Sequence, residues 1–217
     1  PAVEETDEYF QVIKNVKLVS IASLKKLKTV GERLQLSGNY LLESLEGLDN
    51  LETVEGYLRI TTEKALTDLK NLPKLTKVGG IEMTGNDILT SFEGLEGITE
   101  VTENMTVSGN KISSLKGFDN LTDVGGNISI SSAREITDLS ELSKLENIGG
   151  DLSVSWNQDL TSLNGLLNLK TLGGDLTVEN NASLPQCEAD NLETYLQGEG
   201  WSGTSSFSSN NGSGNCE

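Results

Sequence analysis

The chain has 217 residues with 16 Lys and Arg against 33 Asp and Glu, a net charge of −17, and no histidine. That balance excludes nucleic acid and anionic lipid surfaces as natural partners. The missing imidazole removes the commonest general base and transition-metal ligand. No apolar run reaches the length of about 18–20 residues that a membrane span needs, so no membrane insertion is expected.

Pro1–Asn15 stands before any repeat. Its acidic start (Glu4, Glu5, Asp7, Glu8) followed by Tyr9, Phe10, Val12 and Ile13 fits a short amphipathic helix. We expect this segment to cap a stack whose first rung would otherwise leave its core bare.

From Val16 to Leu184 a unit of 23–24 residues recurs, first as a half rung at Val16–Leu27. Full rungs then begin at Val30, Val54, Val78, Val101, Val124, Ile148 and Leu172. Each opens with a strict two-residue alternation, such as Leu152/Val154, the pattern of a strand with one buried face. Further apolar pairs such as Leu160/Leu163 are read as second short strands, and Leu166/Leu169 as the third side. The reading is a mainly β fold, a right-handed β-solenoid of about seven leucine-rich-repeat-like rungs with short capping helices at both ends. Stacked at about 4.8 Å per rung, the column is roughly 30–35 Å long.

Gly79-Gly80, Gly125-Gly126, Gly149-Gly150 and Gly173-Gly174 precede the strands and are expected at corners that need a positive φ. Asn39, Asn86, Asn110, Asn157 and Asn181 follow them, where stacked amides can bond backbone between rungs. Glu63 and Ala133 interrupt that column.

The repeats end after Asn181. Glu188–Gln197 reads as a helix, and the tail is rich in Gly, Ser and Asn. Cys187 and Cys216 bracket a loop of about 30 residues, so a disulfide tying the tail over the last rung is expected, worth roughly 3–4 kcal/mol in a chain-entropy account. It places the protein in an oxidising, extracellular compartment. Five N-x-S/T sequons, at Asn104, Asn120, Asn127, Asn181 and Asn211, carry little weight because repeat positions supply their residues.

Carboxylate pairs such as Glu43 with Glu46 and Asp138 with Glu141 scatter over corners, whereas glycosidase chemistry needs two carboxyls across a cleft. We therefore expect no catalytic residue, no metal and no cofactor.

The outward positions of the first strands carry the functional reading. One column holds Gln35, Arg59, Glu82, Thr106, Ser129, Ser153 and Thr177; its neighbour holds Ser37, Thr61, Thr84, Ser108, Ser131, Ser155 and Glu179. Arg59, Glu82, Thr106, Ser129, Ser153, Ser155, Trp156 and Thr177 form the candidate ligand-binding set. Against it stands the simpler reading, that Ser and Thr merely suit a solvated strand face. Trp156 takes a place held elsewhere by Gly, Thr, Ser or Asn, and either protrudes at the edge of the face or lies flat over a corner.

The unit written out by Leu145–Leu169, of the form LxxLxxVGGxLxVxxNxxLTSLxGLxNL, resembles the receptor L-domain family, and the Cys-helix-Cys ending is similar as well. The resemblance implies a leucine-rich-repeat-like β-helix on an extracellular or cell-surface protein of microbial type, binding a protein or glycan with its first-strand sheet. A single module over residues 1–217 is expected, with a cap at 1–15, repeats at 16–184 and a C-terminal cap at 185–217, and a monomer. The rivals are a structural spacer, an ice-binding solenoid whose Ser/Thr columns lie flat, and a carbohydrate-active β-helix.

Overall fold

A computed structural model describes residues 4–211. Its strands are β1 (Glu5–Thr6), β2 (Phe10–Ile13), β3 (Thr29–Val30), β4 (Leu34–Ser37), β5 (Thr53–Thr61), β6 (Lys77–Thr84), β7 (Glu100–Val101) and β8 (Met105–Ser108). They continue as β9 (Asp123–Val124), β10 (Ile128–Ser131), β11 (Asn147–Ile148), β12 (Leu152–Ser155), β13 (Thr171–Leu172) and β14 (Leu176–Glu179). Helix α1 (Gln186–Gly198) and β15 (Ser205–Ser208) follow.

The strands form a parallel β-solenoid. The main ladder runs β2-β4-β5-β6-β8-β10-β12-β14-β15, and each step joins equivalent positions of successive rungs, as in Ser129↔Ser153↔Thr177. The seven rungs of the repeat are thus present, with one further strand at each end. Inward residues of the strands join one continuous apolar column in which Leu34, Leu58, Ile81, Met105, Ile128, Leu152 and Leu176 are fully buried. Phe92 and Phe118 stack between neighbouring rungs with ring centroids 5.0 Å apart.

The amino-terminal segment is not a helix. Phe10 and Val12 face the core while Tyr9, Gln11 and Ile13 face out, and β2 pairs with β4 along its length. The open edge of β4 offers backbone partners to every second residue, and that satisfies the segment better than an isolated short helix could.

The second sides are not strands either. Their leucines recur every three residues because the chain turns in successive i→i+3 bonds: Leu42 N–H donates to Asn39 O (2.9 Å), Leu48 to Leu45 (3.0 Å) and Leu51 to Leu48 (2.9 Å). Three-residue spacing eclipses side chains on one face of a 3₁₀ turn, which is how one stripe stays buried. In three rungs, at Ala22–Leu24, Ser140–Leu142 and Asn164–Leu166, the turn closes into a short 3₁₀ helix.

The paired glycines serve close approach rather than positive φ. The positive φ angles lie elsewhere, at the residue before each corner position (Asn, or Glu63 and Ala133 in two rungs), at Gly47, Gly94 and Gly117, and at Gly200 after α1. A Cβ on Gly125, Gly149 or Gly173 would run into a carbonyl oxygen of the preceding rung. One on Gly126, Gly150 or Gly174 would strike the side chain of Asn104, Asn127 or Asp151. Those side chains form a ladder of their own, with Asn104 Oδ1 accepting from Asn127 N–H (2.8 Å), Asn127 Oδ1 from Asp151 N–H (2.8 Å) and Asp151 Oδ1 from Asp175 N–H (2.9 Å).

The corner asparagines make the ladder expected of them. Asn86, Asn110, Asn157 and Asn181 are fully buried. Asn157 is typical: its Oδ1 accepts from Ala133 N–H (3.0 Å) and its Nδ2 donates to Ile130 O (3.0 Å), so one amide satisfies two buried backbone groups of the rung before it. Their burial also removes Asn181 as a glycan acceptor. Beyond the last rung Asn210 caps the column, donating to Val178 O (2.8 Å).

At the carboxyl end α1 seats Ala189, Leu192 and Leu196 against the core, and Trp201 Nε1 donates to Gly174 O (2.8 Å). The expected Cys187–Cys216 bridge ends on Cys216, which lies outside the described residues. No described helix is long and apolar enough to cross a membrane.

Candidate functional site

The candidate residues stand where the two-residue alternation places them, on the outer face of the main ladder. Arg59, Glu82, Thr106, Ser129, Ser153 and Thr177 align across β5, β6, β8, β10, β12 and β14, each half-buried between its neighbours. Ser155 lies in the adjacent column opposite Ser131 and Glu179. Hydroxyls bond across rungs there, Thr61 Oγ1 to Ser37 Oγ (2.8 Å) and Ser131 Oγ to Ser108 Oγ (2.9 Å). The face is therefore flat, polar and internally hydrogen-bonded.

Trp156 protrudes: it is 57% exposed. Its φ is +60°, and the same left-handed conformation recurs at Gly38, Thr62, Gly85, Gly109, Ser132 and Asn180. The corner demands that conformation of every rung, and glycine meets it without steric cost. A bulky side chain there costs on the order of 1–2 kcal/mol, and an exposed ring recovers little of it by packing.

The set does not form one site. Four ladder steps separate Arg59 from Ser153 beside Trp156, about 19 Å at the usual strand spacing. Arg59 is instead tied to Glu82, its Nη2 lying 2.8 Å from the carboxylate. This pair also interrupts the Ser/Thr columns.

Around Arg59 the structure gathers residues that strand alternation alone did not single out. A groove of about 180 Å³ is lined by Arg33, Tyr57, Arg59 and Glu82. It adjoins a second of about 300 Å³ that includes Tyr9, Arg33, Tyr57, Glu32, Glu55 and Glu103. The Arg33 guanidinium sits 5.3 Å from the Tyr9 ring centroid, within cation–π range. The Tyr9 hydroxyl donates to Glu32, and this hydrogen bond, aided by the carboxylate's charge, raises the Tyr9 pKa. The Tyr57 ring reaches across the next rung, its hydroxyl accepting from Asn104 Nδ2 (3.2 Å). Arg59 Nε is buried and has no hydrogen-bond partner among the described residues.

The chain holds only three arginines and four tyrosines, and two of each meet in these grooves. The signal was present in the flank column Arg33, Tyr57, Gly80, Asn104, Asn127, whose first two members depart from its later amide and carboxylate pattern. Among the described residues, no group of three or more carboxylates or cysteines is placed to hold a metal ion.

No curated protein matches the chain. The family model for the receptor L domain matches residues 122–198, the part of the solenoid from β9 through α1. Over that stretch the repeat is similar to that of the receptor L-domain family, as the reading of the unit at Leu145–Leu169 expects.

Proposed function

We propose that the chain is a non-enzymatic, extracellular recognition module that binds a protein or glycan on the outer face of its main ladder, centred on the Tyr9–Arg33–Tyr57–Arg59 grooves. The observation that carries this reading is the convergence of two arginines and two tyrosines beside a flat, hydrogen-bonded strand face. Tyrosine and arginine give large contact area with few rotors and dominate binding hot spots. Among the described residues Arg33 donates from Nη1 to Gln35 Oε1 at 3.4 Å. Trp156 is a second contact for a ligand long enough to span four rungs. The similarity to receptor L domains supports an extracellular binding role.

The test is a glycan array together with a surface-protein pull-down, followed by titration of the captured partner. Arg33→Ala and Arg59→Ala should each weaken binding by about tenfold or more, and Trp156→Ala by less. Unchanged affinity in both arginine variants would remove the grooves as the centre. Failure of every surface partner to bind would favour the rival reading, a rigid spacer.

A further inference from the structure

We propose that the amino-terminal edge of the sheet is a self-pairing surface, with β2 of one copy laid antiparallel against β2 of a second copy about a two-fold axis through Gln11. The two ends of the solenoid differ. At the carboxyl end α1 covers the core. At the amino end the partly buried Phe10, Val12, Leu18 and Leu24 pack on it, and among the described residues no α-helix lies over them. Four of the nine exposed large apolar residues of the described chain, Tyr9, Ile13, Val16 and Val19, cluster at this end.

Among the described residues no strand pairs with the outer side of β2. Phe10 N–H and Lys14 N–H donate to Arg33 O and Ser37 O (both 2.7 Å), so these residues point at β4. The alternate residues Tyr9, Gln11 and Ile13 point their amides and carbonyls at the open edge, where Asn15 Nδ2 reaches Ile13 O at 3.2 Å. Such an edge is a template for another strand.

Charge selects the occupant. Every acidic residue of this segment precedes the strand and every basic one follows it: Glu4, Glu5, Asp7 and Glu8, then Lys14 and Lys17. Antiparallel pairing with Gln11 opposite Gln11 sets Tyr9 against Ile13 and Glu8 against Lys14. The outward-facing residues 9, 11 and 13 are the ones this register hydrogen-bonds. A second copy is therefore complementary in backbone, apolar contact and charge at once, on a chain whose net charge of −17 otherwise keeps copies apart. A head-to-tail partner would instead meet β15, the last strand of the ladder, and the sequence beyond Lys170 holds no lysine or arginine to face Glu4, Glu5, Asp7 and Glu8. The pairing departs from the monomer expected from sequence, and brings two Tyr9–Arg33 grooves onto one continuous face.

Sedimentation equilibrium of the whole chain tests this, with thermal unfolding by circular dichroism as the control for folding. A monomer–dimer equilibrium is expected. Gln11→Pro removes the outward N–H at the axis without touching the bonds of Phe10 and Lys14 to β4, and should leave a folded monomer. Lys14→Glu should weaken the dimer at low salt, and adding Glu8→Lys should restore it, which keeps the proposal testable if the proline variant misfolds. A monomer at every concentration, a dimer indifferent to both the proline and the charge exchange, or head-to-tail polymers would each overturn it. Dimer formation does not depend on any ligand, so its failure leaves the binding-face reading standing.

Discussion

The ring of Tyr57 occupies the space directly over the Cα of Gly80 in the next rung, where a Cβ would overlap its Cε1, Cζ and Cδ1 atoms. Glycine at position 80 is therefore what lets the ring lie along the grooves and reach Asn104.

Gly80→Ala should push the Tyr57 ring aside while leaving the ladder intact, because only side-chain atoms are in the way. The expected outcome is a loss of binding comparable to Tyr57→Ala, with stability changed by less than about 1 kcal/mol. Calorimetric titration of the partner alongside urea denaturation separates the two. A variant that binds normally would show that the ring's position is immaterial.

Trp156→Asn should raise stability and lower affinity together. Asn180 already takes the same conformation one rung on, with φ +59°, and Asn tolerates that region. We expect a gain of about 0.5–1 kcal/mol in urea denaturation from relieved backbone strain. A loss of stability would mean that the ring contributes packing.

In the asparagine column, Asn157→Ala would strand the buried Ala133 amide and remove one of the bonds to the Ile130 carbonyl, which keeps its place in the β10–β12 ladder. One unsatisfied buried N–H predicts a loss of about 1–3 kcal/mol. Conversely, Ala133→Asn would return a side-chain amide to the column beside Asn110, with an expected gain of about 1 kcal/mol. Chemical denaturation of both variants reads the difference.

Glu63 puts a carboxyl where its siblings put an amide. It is fully buried and accepts from Asn39 N–H (3.1 Å) and Asn39 Nδ2 (2.9 Å). Burial raises its pKa above the usual 4.5, and the bonds from Asn39 only partly oppose this. With the folded pKa raised, the folded chain holds its proton longer than the unfolded one. The stability this group contributes is then full below the unfolded pKa and lost as pH rises through the folded value. Glu63→Gln should be more stable than the parent at neutral pH, the gap closing as pH falls towards 4.5. Asp49 and Asp138, whose pKa values are lowered chiefly by the side chains of Asn71 and Ser140, work in the opposite sense and lose their contribution in acid. Denaturation curves of parent and variant across pH isolate the Glu63 part.

Much of this molecule was set by local sequence. Repetition of a Leu-x-Val alternation every 23–24 residues leaves one solution that buries every copy, a stack of rungs, and the same alternation assigns Ser153, Ser155 and Thr177 to the outer face. The column of corner asparagines was legible for the same reason, since an amide repeated at one place in each rung finds its partners in the rung beside it.

Tertiary structure decided what depends on neighbours distant in sequence. Glu4–Ile13 has a pattern compatible with a helix, and only the unpaired edges of β3 and β4 draw it into strands. Gly149 and Gly150 look like turn glycines until the preceding rung places a carbonyl and the Asn127 side chain against them. Likewise Tyr9, Arg33, Tyr57 and Arg59 are up to 50 residues apart in sequence, and parallel stacking at one strand spacing per rung is what makes them a single patch. Periodicity fixes which face a residue takes, but side-chain length and reach across rungs decide which residues on that face meet.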